Sequence, residues 1–373
     1  MEDHVLCIRL TFKFLKFVAF WRDENETRLY QCFRVVFFVI FFLLYLGTIL
    51  AGLLVTNTID QFFSEALYIS LTEISMAVKA YSLFKHFYTV LQLHQLAVSK
   101  EFQSIGEEEL HLVRVLLWRF NTCYTIFQAL VLTINVSAIS LLFDGQYKLP
   151  YFSWIWGLPY GVDAPYTYLF IWFYQVFGMC IHGILAIAVE SQASYLLTVA
   201  GAQLDFLSRR FSQLTCSHGS TDENSKHRKS FIQFVQHYNK VYWFVRDTED
   251  VYSKPMFAQF CASAISLCAT AYRLSLVHVK DFSLVIASSL YLCALLYQIF
   301  LQCYFSNEVT LKSDRLTHAL YSSEWYNLIP RNSKEVEMMM IRTQQPIRVK
   351  AGGIIYCDLK SLMSVWTRNA FRL

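Results

Sequence analysis

Several stretches of this chain are apolar for long enough to cross a lipid bilayer, and that limits its possible folds more than any other feature. Phe33 to Val55 has no charge after Arg34, and Phe120 to Phe143, Ala164 to Val189 and Phe282 to Asn307 have none at all. Pro255 to Val277 makes a further run that ends near Arg273, and Phe62 to Phe84 makes another that holds Glu65, Glu73 and Lys79. A helix needs about 20 predominantly apolar residues to span the hydrocarbon. These six runs meet that need. A seventh, Ile354 to Trp366, is shorter and is interrupted by Asp358 and Lys360. Inside a bilayer every backbone amide must find its partner within the protein, so such a chain is expected to be all-α, a seven-transmembrane helical bundle.

Composition agrees. Hydrophobic residues make up 55% of the 373 and charged residues only 16%, which is a membrane-protein balance. A net charge of +4 gives no reason to expect nucleic acid as a partner. No phosphate-binding glycine loop, HExxH, GxSxG or paired CxxC occurs, so no enzyme activity, cofactor or metal is expected. Leu6, Leu10, Phe14 and Phe17 recur at helical spacing with Arg9, Lys13 and Lys16 between them, as in an amphipathic helix lying on a membrane surface rather than a removed leader.

Lysine and arginine set the orientation, because they concentrate on the cytosolic side. The N-terminal segment and the loops after spans two, four and six hold twenty-five of them, and the opposite side holds three, Lys148, Arg273 and Lys280. The N-terminus is therefore expected in the cytosol and, with seven spans, the C-terminus outside. G-protein-coupled receptors have seven spans in the reverse sense. All ten cysteines fall in spans or on the basic side, so no external disulfide is expected. Asn25-Glu26-Thr27 is a glycosylation sequon that would need an external N-terminus, and it is discounted as a chance match.

Outside, Asp144 to Pro165 combines three prolines, three glycines and a cluster of Tyr151, Trp154, Trp156 and Tyr160, read either as a compact lid or as interface anchors. Inside, two apolar stripes, Leu196 to Phe211 and Phe231 to Val245, predict helices that extend below the membrane and pack together. Glu73 and Lys79 are expected to form structural ion pairs, with each other or with neighbouring spans, and His182 to be a hydrogen-bonded core histidine.

The last fifth of the chain is the most legible. Leu316 and Leu320 form an i, i+4 pair; Asn332 and Glu335 can form a capping box; Val336, Met339, Met340 and Thr343 line one helix face, which Pro346 ends. Gly352-Gly353 permits a sharp turn. Asp358, Ser361, Ser364, Arg368 and Arg372 then recur every three or four residues, a wet stripe that suits either a pore-lining span or a short interfacial helix. The expected division is 1–32, an N-terminal amphipathic segment; 33–305, six spans with cytosolic extensions; 306–350, cytosolic anchor helices; and 351–373, hinge and seventh span.

The runs Asn307-Glu308, Ser313, Leu316, Ala319, Tyr321, Trp325-Tyr326 and Arg342, Gln344, Pro346, Ala351-Gly352-Gly353, Leu359, Ser364-Val365 resemble the carboxyl-terminal signature of insect odorant receptors. Ala202-Gln203-Leu204, closed by Leu207, resembles that family after its fourth span. The resemblance implies a subunit of an odorant-gated, non-selective cation channel, placed in the plasma membrane of olfactory neuron dendrites. Such subunits assemble as tetramers around a central pore, and the short loop after span four resembles a tuning subunit working with an odorant co-receptor subunit in a heterotetramer. It further implies a pore lined by the last span, here Asp358, Ser361, Ser364, Arg368 and Arg372. Assembly would run through cytosolic residues, here Leu316, Leu320, Trp325, Tyr326, Val336, Met339 and Met340. A small volatile ligand would sit in the outer half of the bundle, with candidates Tyr68 and Thr72, Ile134, Ser137 and Leu141, Phe170 and Tyr174, and Ser288 and Tyr291. The chain departs from the family at Thr367 to Leu373, where an aromatic, apolar run is usual; Arg368 and Arg372 add positive charge that opposes cation passage. The alternatives are a G-protein-coupled seven-helix chemoreceptor and a transporter, the latter disfavoured because the two halves show no repeat.

Overall fold

The computed structural model describes residues 13, 15–16, 20, 27–55, 67–104, 106–137, 149, 165–214, 221–276, 282–322, 330–361 and 363. Helix α1 (Arg28–Phe38) runs through a π-helical segment (Val39–Leu44) into α2 (Tyr45–Val55). Then follow α3 (Leu67–Lys85), α4 (Phe87–Val98), a 3₁₀ turn (Lys100–Phe102) and α5 (Glu107–Ser137). Three long helices come next, α6 (Pro165–Leu214), α7 (Thr221–Leu276) and α8 (Phe282–Tyr321), and after them α9 (Pro330–Thr343). Among the described residues four helical stretches are long and apolar enough to cross a membrane, Arg28–Gly52, Glu107–Val136, Pro165–Phe211 and Val285–Tyr321. The expected second and fifth spans lie within α3 and α7, where polar and charged residues dilute the apolar run.

Helix α6 is the axis of the bundle. Nearly every side chain from Ala186 to Leu207 is buried, the polar ones among them included, so this part of the helix has neighbours on all sides. Gly178, higher on the same helix, lies flat against the Tyr45 ring, where any added methyl would overlap the aromatic carbons. Below the membrane α6, α7 and α8 simply continue, so the boundary placed at residue 305 falls inside an unbroken helix.

Gln203 of the Ala-Gln-Leu run and the residue that follows the run, Asp205, hold those extensions together. Gln203 donates its amide to the Phe102 carbonyl (2.8 Å) and meets His237 through its oxygen (3.0 Å), and nearby Asp205 pairs with Lys312 of α8 at 2.9 Å. Arg210 adds a two-pronged bond to Glu109 of α5 at 2.9 and 2.8 Å.

Pro255 sits inside α7, where sequence places the start of a span. A proline has no N–H to give the carbonyl four residues back, and the helix continues because something else does. Ser82 of α3 donates its hydroxyl to the Val251 carbonyl at 2.6 Å.

The carboxyl-terminal segment departs from a purely helical fold. After α9 the chain forms a short hairpin, β1 (Lys350–Ala351) antiparallel to β2 (Ile355–Tyr356), with Lys350 opposite Tyr356 and Ala351 opposite Ile355. Ile354 closes the turn on the Ala351 carbonyl (3.1 Å), and both central residues, Gly352 (φ 61°) and Gly353 (φ 72°), have the positive φ such a turn requires. The hairpin is docked on α7. Gly352 donates to the Ser253 carbonyl (3.0 Å), the Ser253 hydroxyl donates to the Lys350 carbonyl (2.7 Å), and the Lys350 amide donates to Glu249 (3.0 Å). Helix α9 starts at Pro330, two residues ahead of the expected cap at Asn332, because proline suits the first helical position.

Candidate functional site

A cavity of about 120 Å³ lies between α3, α5, α6, α7 and α8. Its wall is largely apolar, with Met76 from α3, Phe127, Val131 and Ile134 from α5, Met179, Ala186 and Ile187 from α6, and Ala294 and Leu295 from α8. Its polar groups come from every side, namely Thr72, Glu73, Lys79, Asn135, His182, Gln259, Tyr291 and Gln298.

Charges buried at membrane depth need partners, and here they have them. Lys79 donates to Glu190 of α6 (2.5 Å) and to the Gln259 side-chain oxygen of α7 (2.6 Å). Gln298 of α8 donates to the same Glu190 oxygen (2.5 Å), and Gln259 donates to Gln298 (3.0 Å) and to Ser263 (2.8 Å). Ser75 of α3 completes the ring by donating to Gln259 (2.8 Å). Four helices are tied at one depth by this lattice, with Lys79 and Glu190 both almost fully buried.

A second buried pair joins Glu73 of α3 to His182 of α6. The Nε2 of His182 donates to the Phe41 carbonyl at 2.8 Å, and since a carbonyl only accepts, the hydrogen on that nitrogen is fixed. The other ring nitrogen, Nδ1, faces the Glu73 carboxylate, with a proton held between them. Phe41 belongs to the π-helical segment, whose wider turn frees carbonyls from the ordinary ladder. The neighbouring Ile40 carbonyl likewise accepts from the Tyr174 hydroxyl (3.0 Å). The interrupted first span is thus fastened to α6 by its own spare acceptors. Glu73 and Lys79 therefore pair with α6, each with a different residue, and not with each other.

Of the expected ligand residues, the fold brings Thr72, Ile134 and Tyr291 to the cavity wall. Tyr174 stands apart, packed on Tyr45 (ring centroids 5.9 Å) and Phe41. Phe170 points outward from α6 with 66% of its surface exposed. Ser288 is buried on α8 but does not line the cavity. Tyr68 and Ser137 lie on α3 and α5 with side chains outside the described residues, as does all of Leu141.

Of the expected pore residues, Asp358 accepts the Ser361 amide (2.7 Å), capping the helical turn that begins at Leu359, while Ser364, Arg368 and Arg372 lie outside the described residues. The expected assembly residues Leu316, Leu320, Val336, Met339 and Met340 are buried in the chain's own core. It is Met338 and Ile341, on the opposite face of α9, that are exposed; Trp325 and Tyr326 lie outside the described residues.

Glu190, Gln259, Gln298 and Asn135 are what sequence reading missed. Each is a lone polar residue in or beside an apolar run, and that was the available signal. The pairing of Glu190, Gln259 and Gln298 was hidden because their partners on other helices are far apart in sequence.

This architecture has known counterparts. The structure of the insect olfactory receptor OR5 from Machilis hrabei in complex with eugenol superposes with a TM-score of 0.81, covering 97% of this chain and 96% of that one at 18% identity. A second structure of the same receptor gives 0.80 over 96% of this chain. Among sequences, odorant receptor 94a of Drosophila melanogaster is 22% identical over 369 residues, covering 96% of this chain and 93% of its own. Odorant receptor 2a of the same species is 25% identical over 369 residues, 92% of this chain and 90% of that one. Its odorant receptor 46a, isoform B, is 26% identical over 341 residues, 88% and 85% respectively. The family model described as 7tm Odorant receptor matches residues 61–370. Seven-transmembrane, membrane-embedded and not an enzyme, this chain belongs to the insect odorant receptor family.

Proposed function

We propose that the chain is the odorant-tuning subunit of a ligand-gated, non-selective cation channel in the plasma membrane of olfactory neuron dendrites. It binds a small volatile in the cavity between α3, α5, α6, α7 and α8 and opens a central pore in a heterotetramer with a co-receptor subunit. The observation that carries this reading is the cavity itself, small, mostly apolar and walled by helices from across the bundle, in a chain of the odorant receptor family.

The charge asymmetry supports a cytosolic N-terminus and an external C-terminus, and in that orientation Ile134 and Asn135 lie on the outward side of Phe127 along α5. The hairpin at Lys350–Tyr356, fastened to α7 next to Pro255, supports a route from cavity to pore, because α7 contributes Gln259 to the cavity floor one turn beyond that proline. Asp358 and Ser361 begin the pore-lining stripe, with Ser364, Arg368 and Arg372 beyond. Leu316, Leu320, Val336, Met339 and Met340 shape the cytosolic anchor from within, and Trp325 and Tyr326 complete the assembly region.

Whole-cell recording in cells that lack responsive G proteins, with and without the co-receptor, tests the reading. It predicts odorant-evoked cation current only when both subunits are present. Current from this chain alone would remove the need for a partner. Second-messenger production without current would replace the channel by a G-protein-coupled chemoreceptor.

A further inference from the structure

Asn135 holds the one side-chain atom of the cavity wall that is buried without a partner among the described residues. The residue is 7% exposed, and its Oδ1 makes no hydrogen bond. The amide orientation is not free to swap. Nδ2 donates to the Val131 carbonyl one turn back at 2.9 Å, and because that carbonyl can only accept, the nitrogen must face it and the oxygen must face away. Elsewhere on the wall Lys79, His182, Gln259 and Gln298 are engaged with protein partners. A buried acceptor left open in this way carries a desolvation penalty that a ligand donor would relieve.

Resting on the proposed function, we infer that the cavity is built for a compact neutral alcohol or phenol, whose hydroxyl donates to Asn135 Oδ1 while its hydrocarbon body packs against Val131, Met179 and Leu295. Size and charge both bear on this. A cavity of about 120 Å³ suits a molecule near the size of benzene. Lys79 and Glu73 already have partners of their own, Glu190 and His182, so a charged ligand would enter without a free counter-charge. Direction matters as much as polarity, because an acceptor-only ligand such as a ketone would bring two oxygens together.

The test uses the purified full chain in detergent, with cyclohexanol, cyclohexanone and methylcyclohexane as probes matched in shape. Binding is read as a shift in thermal unfolding over a concentration series. Cyclohexanol is expected to stabilise at about tenfold lower concentration than either of the others. Asn135→Leu is expected to remove that preference while the response to methylcyclohexane remains. Equal responses to the three probes in the unmutated chain overturn the inference whether or not the variant folds, and so does an unchanged preference in Asn135→Leu. The readout needs no conduction. An alcohol preference in binding without any current from the co-expressed subunits would overturn the channel reading alone, and current without an alcohol preference would overturn this inference alone.

Discussion

At the scale of single residues, the strongest constraint is the burial of Lys79 against Glu190. Removing one charge strands the other in a low-dielectric interior, so Lys79→Met is expected to destabilise the chain by about 3–5 kcal/mol. Adding Glu190→Gln should recover much of the loss. Thermal unfolding of the single and double variants checks this, and a double variant no better than the single would show that the two charges act separately. Below the spans two histidines make stability depend on pH. Burial opposes protonation of His94 and lowers its pKa to about 4. His237 is lowered to about 4 first by burial and then by Arg210 and Lys240 nearby. The unfolded chain accepts protons at these sites below about pH 6.5 while the folded chain refuses them. Their neutral-state contribution is thus complete above that pH and is lost progressively as pH falls from about 6.5 towards 4. Melting temperature measured at pH 7.5 and pH 5 should drop, and His94→Gln should flatten the drop. The sequence shows these residues plainly, yet neither Lys79 nor His94 reveals its surroundings. A lysine in an apolar run says that a partner exists, and only the fold says it is on α6.

At the scale of elements, helix α7 shows how a break signal can be overruled. Pro255 reads as the start of a span, and local chemistry alone would end a helix there. Ser82, from a helix far away in sequence, supplies the missing donor to Val251. Ser82→Ala should therefore cost about 1–3 kcal/mol by leaving that carbonyl buried and open. A circular-dichroism melt of the variant reads the loss, and an unchanged melt would mean that water or a local adjustment satisfies the carbonyl. The Gly352-Gly353 hinge was readable from residue type because few other residues take positive φ. What residue type could not show is that Gly352 also presses on the Phe257 ring of α7. The apolar stripe of α9 was equally readable from its spacing, but spacing cannot say whether a buried face meets its own chain or another. Val336, Met339 and Met340 meet their own.

At the scale of the whole molecule, hydropathy and charge asymmetry were enough for a helical membrane bundle, and the carboxyl-terminal motifs were enough for the family. The cavity was legible only in outline. Thr72, Ile134 and Tyr291 reach it, whereas Phe170 turns outward, because span order gives depth along the membrane and not rotation about a helix axis. Orientation makes its own prediction. An epitope tag at Met1 should be hidden from antibody in intact cells and reached after permeabilisation, and labelling in intact cells would reverse the topology. If a volatile in this cavity opens a cation pathway, whole-cell recording of Ala294→Phe with the co-receptor will reveal it. Ala294 is buried on the cavity wall, so a phenyl ring there should occupy the space a ligand needs. The variant should reach the cell surface but lose odorant-evoked current by at least about tenfold in sensitivity. An undiminished response from a surface-expressed Ala294→Phe receptor would contradict it.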